Sequence, residues 1–421
     1  MACKGQGGCA GCHAVSVVPC AQTTYKMGTT AVDSALYYEL SGKKMLTTTD
    51  GVQLNDHCCS VPQLATGKFA YVIAIPAKNE QATIVACLDA CWQSMQRADA
   101  TGKILLVINN TTDDTQELAA AWARGTICPL EMINITVAAR VAQAGFVRRM
   151  AMQWAALSVM SDGVLLCTDA DSRPHVDWVS ANLTQITAGY DLVCGEILLD
   201  QSHPQYEKIC AIHRKNALEG QYRQACLELI HQLDPDPDNA WPHHNQVSGA
   251  SLAIRRQVHD FVGGIPAVPL AEDRALAQRV ALHDYRICYC SQARVMTSCR
   301  MDGRAEGGMA QALRIRAGSE DFLIDESLEP AHLVLLRAGT RASARLMWQQ
   351  GLNRHDLYAF LDIDESRYHA LDTIGRFGML WQQLEQHAPC LGPARVLYSQ
   401  LPVQLKRIEA MLMQVRQLDM A

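Results

Sequence analysis

Four short apolar runs punctuate the stretch from residue 69 to 168, and helix-like segments separate them. The runs are FAYVIAIP from Phe69, ILLVI at 104–108, INITV at 133–137 and VLLCT at 164–168. Each is rich in β-branched residues and too short for a helix, so each reads as a strand buried on both faces. Pro76 ends the first run. Ile84, Leu88, Cys91, Trp92 and Met95 then recur at helical spacing, which predicts a helix over about 81–95. DTQELAAAWARG follows the second run and FVRRMAMQWAALSVM the third, both helix-like; DLVC at 191–194 reads as a fifth strand. Strands covered on both faces by intervening helices make an α/β domain with a mostly parallel, doubly wound, Rossmann-like sheet. Ligands bind such sheets beyond the carboxyl ends of the strands. The segments to examine are therefore PAKNE after the first strand, NNTTDDT after the second and DADS after the fourth.

The rest of the chain divides around this region. Residues 1–68 are rich in Gly, Cys, Thr and Ser without periodicity and read as a partly ordered leader. Residues 205–233 read as one long helix, followed by the breaker-rich DPDPDNAWPHH. RICYC at 286–290 is a late strand, and the chain from about 319 to 421 is mostly helical. Leu405, Ile408, Leu412 and Val415 line one face of its last helix. That tail is expected to pack on the central domain by default, though it could also dimerise or touch a membrane surface.

Composition narrows the classes. Of the 421 residues 49% are apolar and 19% charged, which suits a substantial core and excludes global disorder. The net charge of −6 disfavours general nucleic-acid binding but leaves room for a local phosphate site. No apolar run approaches the roughly 20 residues of a membrane span, and the N-terminus lacks the features of a signal peptide. Of 17 cysteines, six fall in residues 1–68, ten in 69–318 and one, Cys390, in the tail. Those in apolar runs, such as Cys87, Cys167, Cys194 and Cys288, read as small buried hydrophobes. An odd total without a secreted framework fits a reducing, cytoplasmic setting.

The candidate chemistry sits at the strand ends. Asp169 and Asp171, at i and i+2 after the fourth strand, can converge on one hard divalent cation, Mg²⁺ or Mn²⁺, shared with substrate phosphates. Pro76-Ala77-Lys78-Asn79-Glu80 lies where a nucleotide could rest. The same segment also reads as a helix start, with Asn79 as N-cap and Glu80 in the first turn. Asn109, Asn110 and Asp113 can pair with a base edge or a ribose hydroxyl, or can cap the next helix. Glu272 and Asp273 open an amphipathic segment; a carboxylate there can act as general base or simply favour a helix N-terminus.

Taken in order, strand-PxxNE, strand-NNxxDxT, strand-DAD, GASLAIRR and ED resemble family 2 glycosyltransferases of the GT-A fold, over about residues 69–318. The resemblance implies transfer of a sugar from a nucleotide-diphosphate donor to an acceptor hydroxyl, usually with inversion, in a metal-dependent, non-processive enzyme. It implies that Pro76, Asn79 and Glu80 border the nucleoside and that Asn110 and Asp113 reach the base, with Asn109 beside them. Asp169 would sit near the ribose or metal, Asp171 on the metal, and Gly249 and Ala250 near the donor sugar. Asp273, paired with Glu272, would deprotonate the acceptor. Arg148 and Arg149 are candidate phosphate contacts or surface helix charges, with Arg149 taken as the binding residue. Many members carry two Asp where Asn109-Asn110 stand, and no Gln-x-x-Arg-Trp sequence follows Asp273, unlike processive synthases. Arg300 and Arg304, in the Gly- and Arg-rich stretch 297–308, are either diphosphate contacts on a closing loop or part of a plain loop.

Two further groups stand outside that pattern. Cys9-Ala10-Gly11-Cys12-His13 matches a haem-attachment spacing that would require export, so a chance match is the preferred reading. With Cys3, Cys20 and the Cys58-Cys59 pair it could instead contribute to a zinc site, though the spacing fits no zinc ribbon. His243-His244 beside Trp241 reads as an exposed loop pair or an acceptor or metal contact. A sugar-nucleotide pyrophosphorylase would want a Gly-rich phosphate loop after the first strand, which PAKNE lacks. The competing class is a catalytically idle α/β nucleotide-binding or scaffold protein. The presence of Asp169, Asp171 and Asp273 together favours the enzyme.

Overall fold

A computed structural model describes residues 36–40, 43–47, 52–60, 68–139, 144–301 and 309–419. The strands are β1 (Leu36–Leu40), β2 (Lys43–Thr47), β3 (Val52–Cys59), β4 (Phe69–Ala77), β5 (Gly102–Asn109), β6 (Leu130–Val137), β7 (Val159–Cys167), β8 (Ser172–Pro174), β9 (Leu192–Leu199), β10 (Leu252–Arg255) and β11 (Ile287–Thr297). The helices of the central region are α1 (Ile84–Gln96), α2 (Thr115–Arg124), α3 (Ala144–Ser158), α4 (Trp178–Thr187), α5 (Tyr206–Lys215), α6 (Ala217–Leu233), α7 (Arg256–Phe261), α8 (Glu272–Leu282) and α9 (Met309–Gly318). The tail adds α10 (Ala331–Gln349), α11 (His355–Phe360), α12 (Tyr368–Asp372), α13 (Phe377–His387) and α14 (Leu401–Asp419).

β1 and β2 form a hairpin, and the other nine strands form one sheet in the order β3-β6-β5-β4-β7-β10-β9-β11-β8. β6, β5, β4 and β7 run parallel, as do β9 and β11, while β3, β10 and β8 run against their neighbours. The result is a mixed α/β fold whose sheet is mostly parallel. Alternation along each strand sorts the core into two layers. Val72 and Ala74 of β4 face α3, α7 and α8, whereas Tyr71, Ile73 and Ile75 face α1, α2 and α4. Nine of the ten cysteines between 69 and 318 are buried, as small core residues should be.

Four expectations are corrected. Residues 52–59 are not an aperiodic leader but an edge strand: β3 pairs with β6 from Val52↔Val137 to Cys59↔Glu131, so the sheet reaches upstream of residue 69. Pro76 does not end its strand; it lies inside β4, opposite Val107 of β5. The helix expected at 205–233 is two, broken at Asn216, whose side chain donates to the Ile212 carbonyl. The first helix begins at Ile84 rather than about 81, so Asn79 is no N-cap: it adopts a left-handed φ of 53° instead.

The tail is tied to the central domain at several points. α6, α10 and α14 share a core that includes Tyr222, Leu229, Val334, Ile408 and Leu412. Asp234, at the end of α6, accepts from Arg341 at 2.6 Å and Arg345 at 3.0 Å of α10. Both oxygens of Asp284 accept the first backbone N–H groups of α13, from Phe377 and Gly378. Among the described residues no helix is long and apolar enough to cross a membrane.

Candidate active site

The carboxyl ends of β4, β5 and β7 open on one side of the sheet, and three loops meet there. After β7 the chain turns tightly, with Ser172 N–H donating to the Asp169 carbonyl at 3.0 Å, and continues into β8. Asp169 and Asp171 flank the buried Ala170 in that turn. The Cys87 thiol of α1 donates to the Asp169 carbonyl from beneath.

The loops after β4 and β5 knit together. Asn79 Oδ1 accepts Thr112 N–H at 2.8 Å, and Glu80 N–H donates to Thr115 Oγ1 at 2.7 Å. Asp113 accepts the backbone N–H of Gln81 at 3.1 Å and of Thr115 at 3.1 Å. Asn110, at a left-handed φ of 46°, donates to the Val137 carbonyl and accepts the Val137 N–H, both at 2.9 Å. Asn109 is buried at the end of β5. The side chains of Asn110 and Asp113 therefore brace the loops in this structure instead of extending towards a base.

Two arginines organise the acidic groups. Arg300, just beyond β11, donates to both oxygens of Glu80, at 2.7 and 2.8 Å, and pairs with Asp171 at 2.9 Å. Arg148 of α3 bridges Asp169, at 2.6 Å, and Glu272. It is Arg148, not Arg149, that enters the site; the Arg149 guanidinium lies over the Phe146 ring, 5.4 Å from its centroid. Burial works against the Arg148 charge, but Asp169, Cys167, Glu272 and Asp273 outweigh it and hold the group cationic. Gly249 is needed beside it: a Cβ there would lie 2.2 Å from Arg148 Cζ.

The general-base candidate joins the same network. Asp273, in the first turn of α8, accepts Gly249 N–H at 3.0 Å and Arg274 N–H at 2.7 Å. Ala250 is buried next to Gly249. Glu80, Asp169, Asp171 and Glu272 thus supply four carboxylates against the guanidiniums of Arg148 and Arg300. Asp171 carries the strain of that excess. Burial pushes its carboxyl up to about 6; Arg300 opposes this, and the charges of Asp169 and Glu80 add to it. A formal surplus of two negative charges, held on oxygen ligands, fits a divalent cation.

Other expected groups lie elsewhere. His243 stacks on Tyr289 with ring centroids 5.0 Å apart, and Trp241 stacks on His231 at 5.8 Å, so this loop folds onto β11 rather than standing free. Burial, then the neighbouring His243, lowers His244 to about 4. Cys3, Cys9, Cys12, His13, Cys20 and Arg304 lie outside the described residues. Sequence reasoning missed the convergence of Arg148 and Arg300; the helical phase of Arg148, between buried Val147 and Met150, was the available signal.

Residues 72–227 match the model of glycosyl transferase family 2. No curated protein matches the chain. Solved structures to which the chain is distantly similar include the mannosyltransferase PcManGT from Pyrobaculum calidifontis in complex with GDP-Man and Mn²⁺. It is 15% identical, with 77% of this chain and 86% of that one covered, at a TM-score of 0.39. S. aureus TarS 1-349 in complex with UDP-GlcNAc is 12% identical over 82% and 91% of the two chains, at 0.40. Glucosyl-3-phosphoglycerate synthase from Mycobacterium tuberculosis, with Mn²⁺, UDP-glucose and phosphoglyceric acid, is 16% identical over 60% and 80%, at 0.36. All three likenesses are distant.

Proposed function

We propose that this chain is a family 2 glycosyltransferase that moves a sugar from a nucleoside-diphosphate donor to an acceptor hydroxyl, with inversion and with Asp273 as general base. The observation that carries this is the meeting of Glu80, Asp169, Asp171, Glu272 and Asp273 around Arg148 and Arg300 at the carboxyl ends of the strands. In the transfer the acceptor oxygen forms a bond to the anomeric carbon. The bond from that carbon to the phosphate oxygen breaks and its electron pair leaves with the nucleoside diphosphate. Asp273 takes the acceptor proton. Its contact with Gly249 N–H fixes the carboxylate against the segment proposed to border the donor sugar.

Asp171, with Asp169, is proposed to hold Mg²⁺ or Mn²⁺; when bound, the cation supplies Lewis-acid stabilisation of charge developing on the diphosphate. Arg300 pairs with Asp171 and Glu80. It is positioned to turn from these carboxylates to phosphate oxygens, for which a guanidinium is suited. Arg148 is proposed to stay in place, because it is buried and clamped by Gly249. Asn79, Glu80 and Pro76 border the proposed nucleoside site, and Asn110 and Asp113 shape it by holding its loops.

The test is a panel of UDP-, GDP- and dTDP-sugars with Mn²⁺ or Mg²⁺, reading nucleotide release. Asp171→Ala and Asp273→Ala are expected to abolish release that the unaltered chain supports. Release at the original rate by either variant with saturating donor overturns the assignment. Nucleotide binding without release from any donor, with acceptors supplied, would favour the idle-scaffold reading.

A further inference from the structure

At the opposite end of the sheet, three side chains of different chemistry meet on one face. β3 is the edge strand and pairs antiparallel with β6, with Cys59 directly opposite Glu131 and His57 opposite Ile133. Residues paired across a ladder share a face, as do residues two apart on one strand. His57, Cys59 and Glu131 therefore project together, towards the layer that holds α3. Cys58, between them, points the other way and packs in the opposite core layer. The adjacent cysteines thus do not act as a pair.

The ligand atoms are already close. His57 Nε2 is 2.9 Å from Glu131 Oε1 and 3.9 Å from Cys59 Sγ, and all three atoms lie within 4.8 Å of one another. Around a tetrahedral ion with bonds of about 2.0–2.3 Å, ligand atoms sit roughly 3.3–3.6 Å apart. A shift of a few tenths of an ångström would bring the measured pairs to that spacing. The site is also shielded, with His57 14% and Glu131 16% exposed.

A buried lysine holds the carboxylate. Lys103 of β5, buried beneath, donates to Glu131 Oε2 and to Ser158 Oγ at the end of α3, the latter at 2.9 Å. Glu131 is thereby fixed with Oε1 turned to His57 and Cys59, which is how outer partners orient metal-ligating carboxylates. The ammonium also limits the local negative charge, so one thiolate, one carboxylate and Lys103 leave a formal −1 for the cation to meet. A neutral imidazole, a thiolate and a carboxylate form a mixed N, S, O set. That set suits a borderline ion such as Zn²⁺ and is a poor match for Mg²⁺, which demands oxygen.

We propose that His57, Cys59 and Glu131 form a structural binding site for a Zn²⁺-class transition-metal ion that clips the edge strand β3 to β6. The fourth position is left for water or another donor. The site is distinct from the carboxylates proposed for catalysis, since Glu131 and Lys103 stand at the amino ends of β6 and β5.

The experiment uses the full chain, stripped of metal by chelator and dialysis, and Co²⁺ as a spectroscopic probe, followed by Zn²⁺ in a thermal-shift assay. One equivalent of Co²⁺ is expected to give a thiolate charge-transfer band in the near ultraviolet, and Zn²⁺ to raise Tm. Cys59→Ser should abolish the band, and both Cys59→Ser and His57→Gln should weaken Zn²⁺ about 100-fold or more and remove the thermal shift. Replacing Cys3, Cys9, Cys12 and Cys20 together by Ser should leave band and shift intact. The proposal is overturned if the band survives Cys59→Ser, if it vanishes with the four-Ser variant, or if micromolar Zn²⁺ leaves Tm unchanged. Far-UV circular dichroism of each stripped variant checks folding. Should His57→Gln fail to fold, Glu131→Gln, which keeps an oxygen for Lys103, supplies the second loss of affinity.

Discussion

The two ends of one sheet gather polar and charged side chains on different kinds of backbone. At the carboxyl ends, Glu80, Asp169, Asp171 and Arg300 come from loops and turns, and acidic groups outnumber the two guanidiniums they share. At the amino ends, His57, Cys59, Glu131 and Lys103 all sit on regular strand positions, where the ladder fixes their Cα spacing. Side chains on loops can trade one partner for another, as a catalytic cycle needs. Side chains on paired strands are held in register and suit a fixed clip. On the roles proposed above, chemistry in this fold follows the loops, and the polar groups on the strands serve the frame.

The largest expected effect tests the carboxyl end. Asp273→Asn keeps the size of the side chain and a carbonyl oxygen for Gly249 N–H, yet removes the proposed base. A loss of about 10²–10⁴ in kcat is expected, with nucleotide affinity little changed. An unchanged kcat would show that the carboxyl end is frame as well. Next comes Gly249→Ala. Its Cβ would meet Arg148 Cζ at 2.2 Å, so the buried guanidinium must leave Asp169 and Glu272 or the backbone must shift. Overpacking of this kind costs about 1–3 kcal/mol. A lowered Tm together with weakened donor binding is expected; a fall in Tm alone would separate Arg148 from the binding site.

The Asp171 carboxyl gives a smaller, graded effect. Burial, then the neighbouring Asp169 and Glu80 acting against Arg300, put it at about 6. A carboxyl raised above its unfolded value stabilises the fold at low pH, and that contribution fades as pH rises through about 6. Metal binding has the opposite sign, because the cation needs the ionised form. Mn²⁺-nucleotide affinity is expected to rise about fivefold between pH 5 and 6 and to level off towards pH 7. Isothermal titration across that range reads it directly. A flat profile would remove Asp171 from the cation.

Much of the sheet was legible because β4 to β7 are dense apolar runs that neither solvent nor a helix would accommodate. β3 was not, because an edge strand covered on one side carries polar residues: VQLNDHCC shows its purpose only once Glu131, far along the chain, stands opposite Cys59. The loop roles were half legible. PAKNE and NNTTDDT marked the right places, but left-handed Asn79 and Asn110 spend their amides on Thr112 and Val137. That conformation depends on the partner loop, which local sequence does not encode. Arg148 and Arg149 differ only by helical phase, and one of them is core. The meeting of Arg300 with Glu80 spans 220 residues and follows from the closing of β11 beside β9, which no local pattern announces.

The smallest effect concerns the tail, and it asks whether an ion pair beside the proposed base can also be frame. Arg274, next to the proposed base, reaches Asp325 at 3.1 and 3.3 Å. Burial alone would raise the Asp325 carboxyl, but Ser327 and Arg274 outweigh it and hold it well below the usual range. A carboxyl depressed on folding contributes stability that is complete above its unfolded pKa, near 4, and is lost as pH falls further. Arg274 is 41% exposed, so Arg274→Ala is expected to cost only about 0.2–1 kcal/mol at neutral pH, and less in high salt. Chemical denaturation at pH 7 and pH 3 should show the gap between the two proteins narrow on acidification. If Arg274→Ala instead lowers kcat while leaving stability unchanged, the pair belongs to the proposed active site, and the backbone N–H that Arg274 offers Asp273 is where the effect enters.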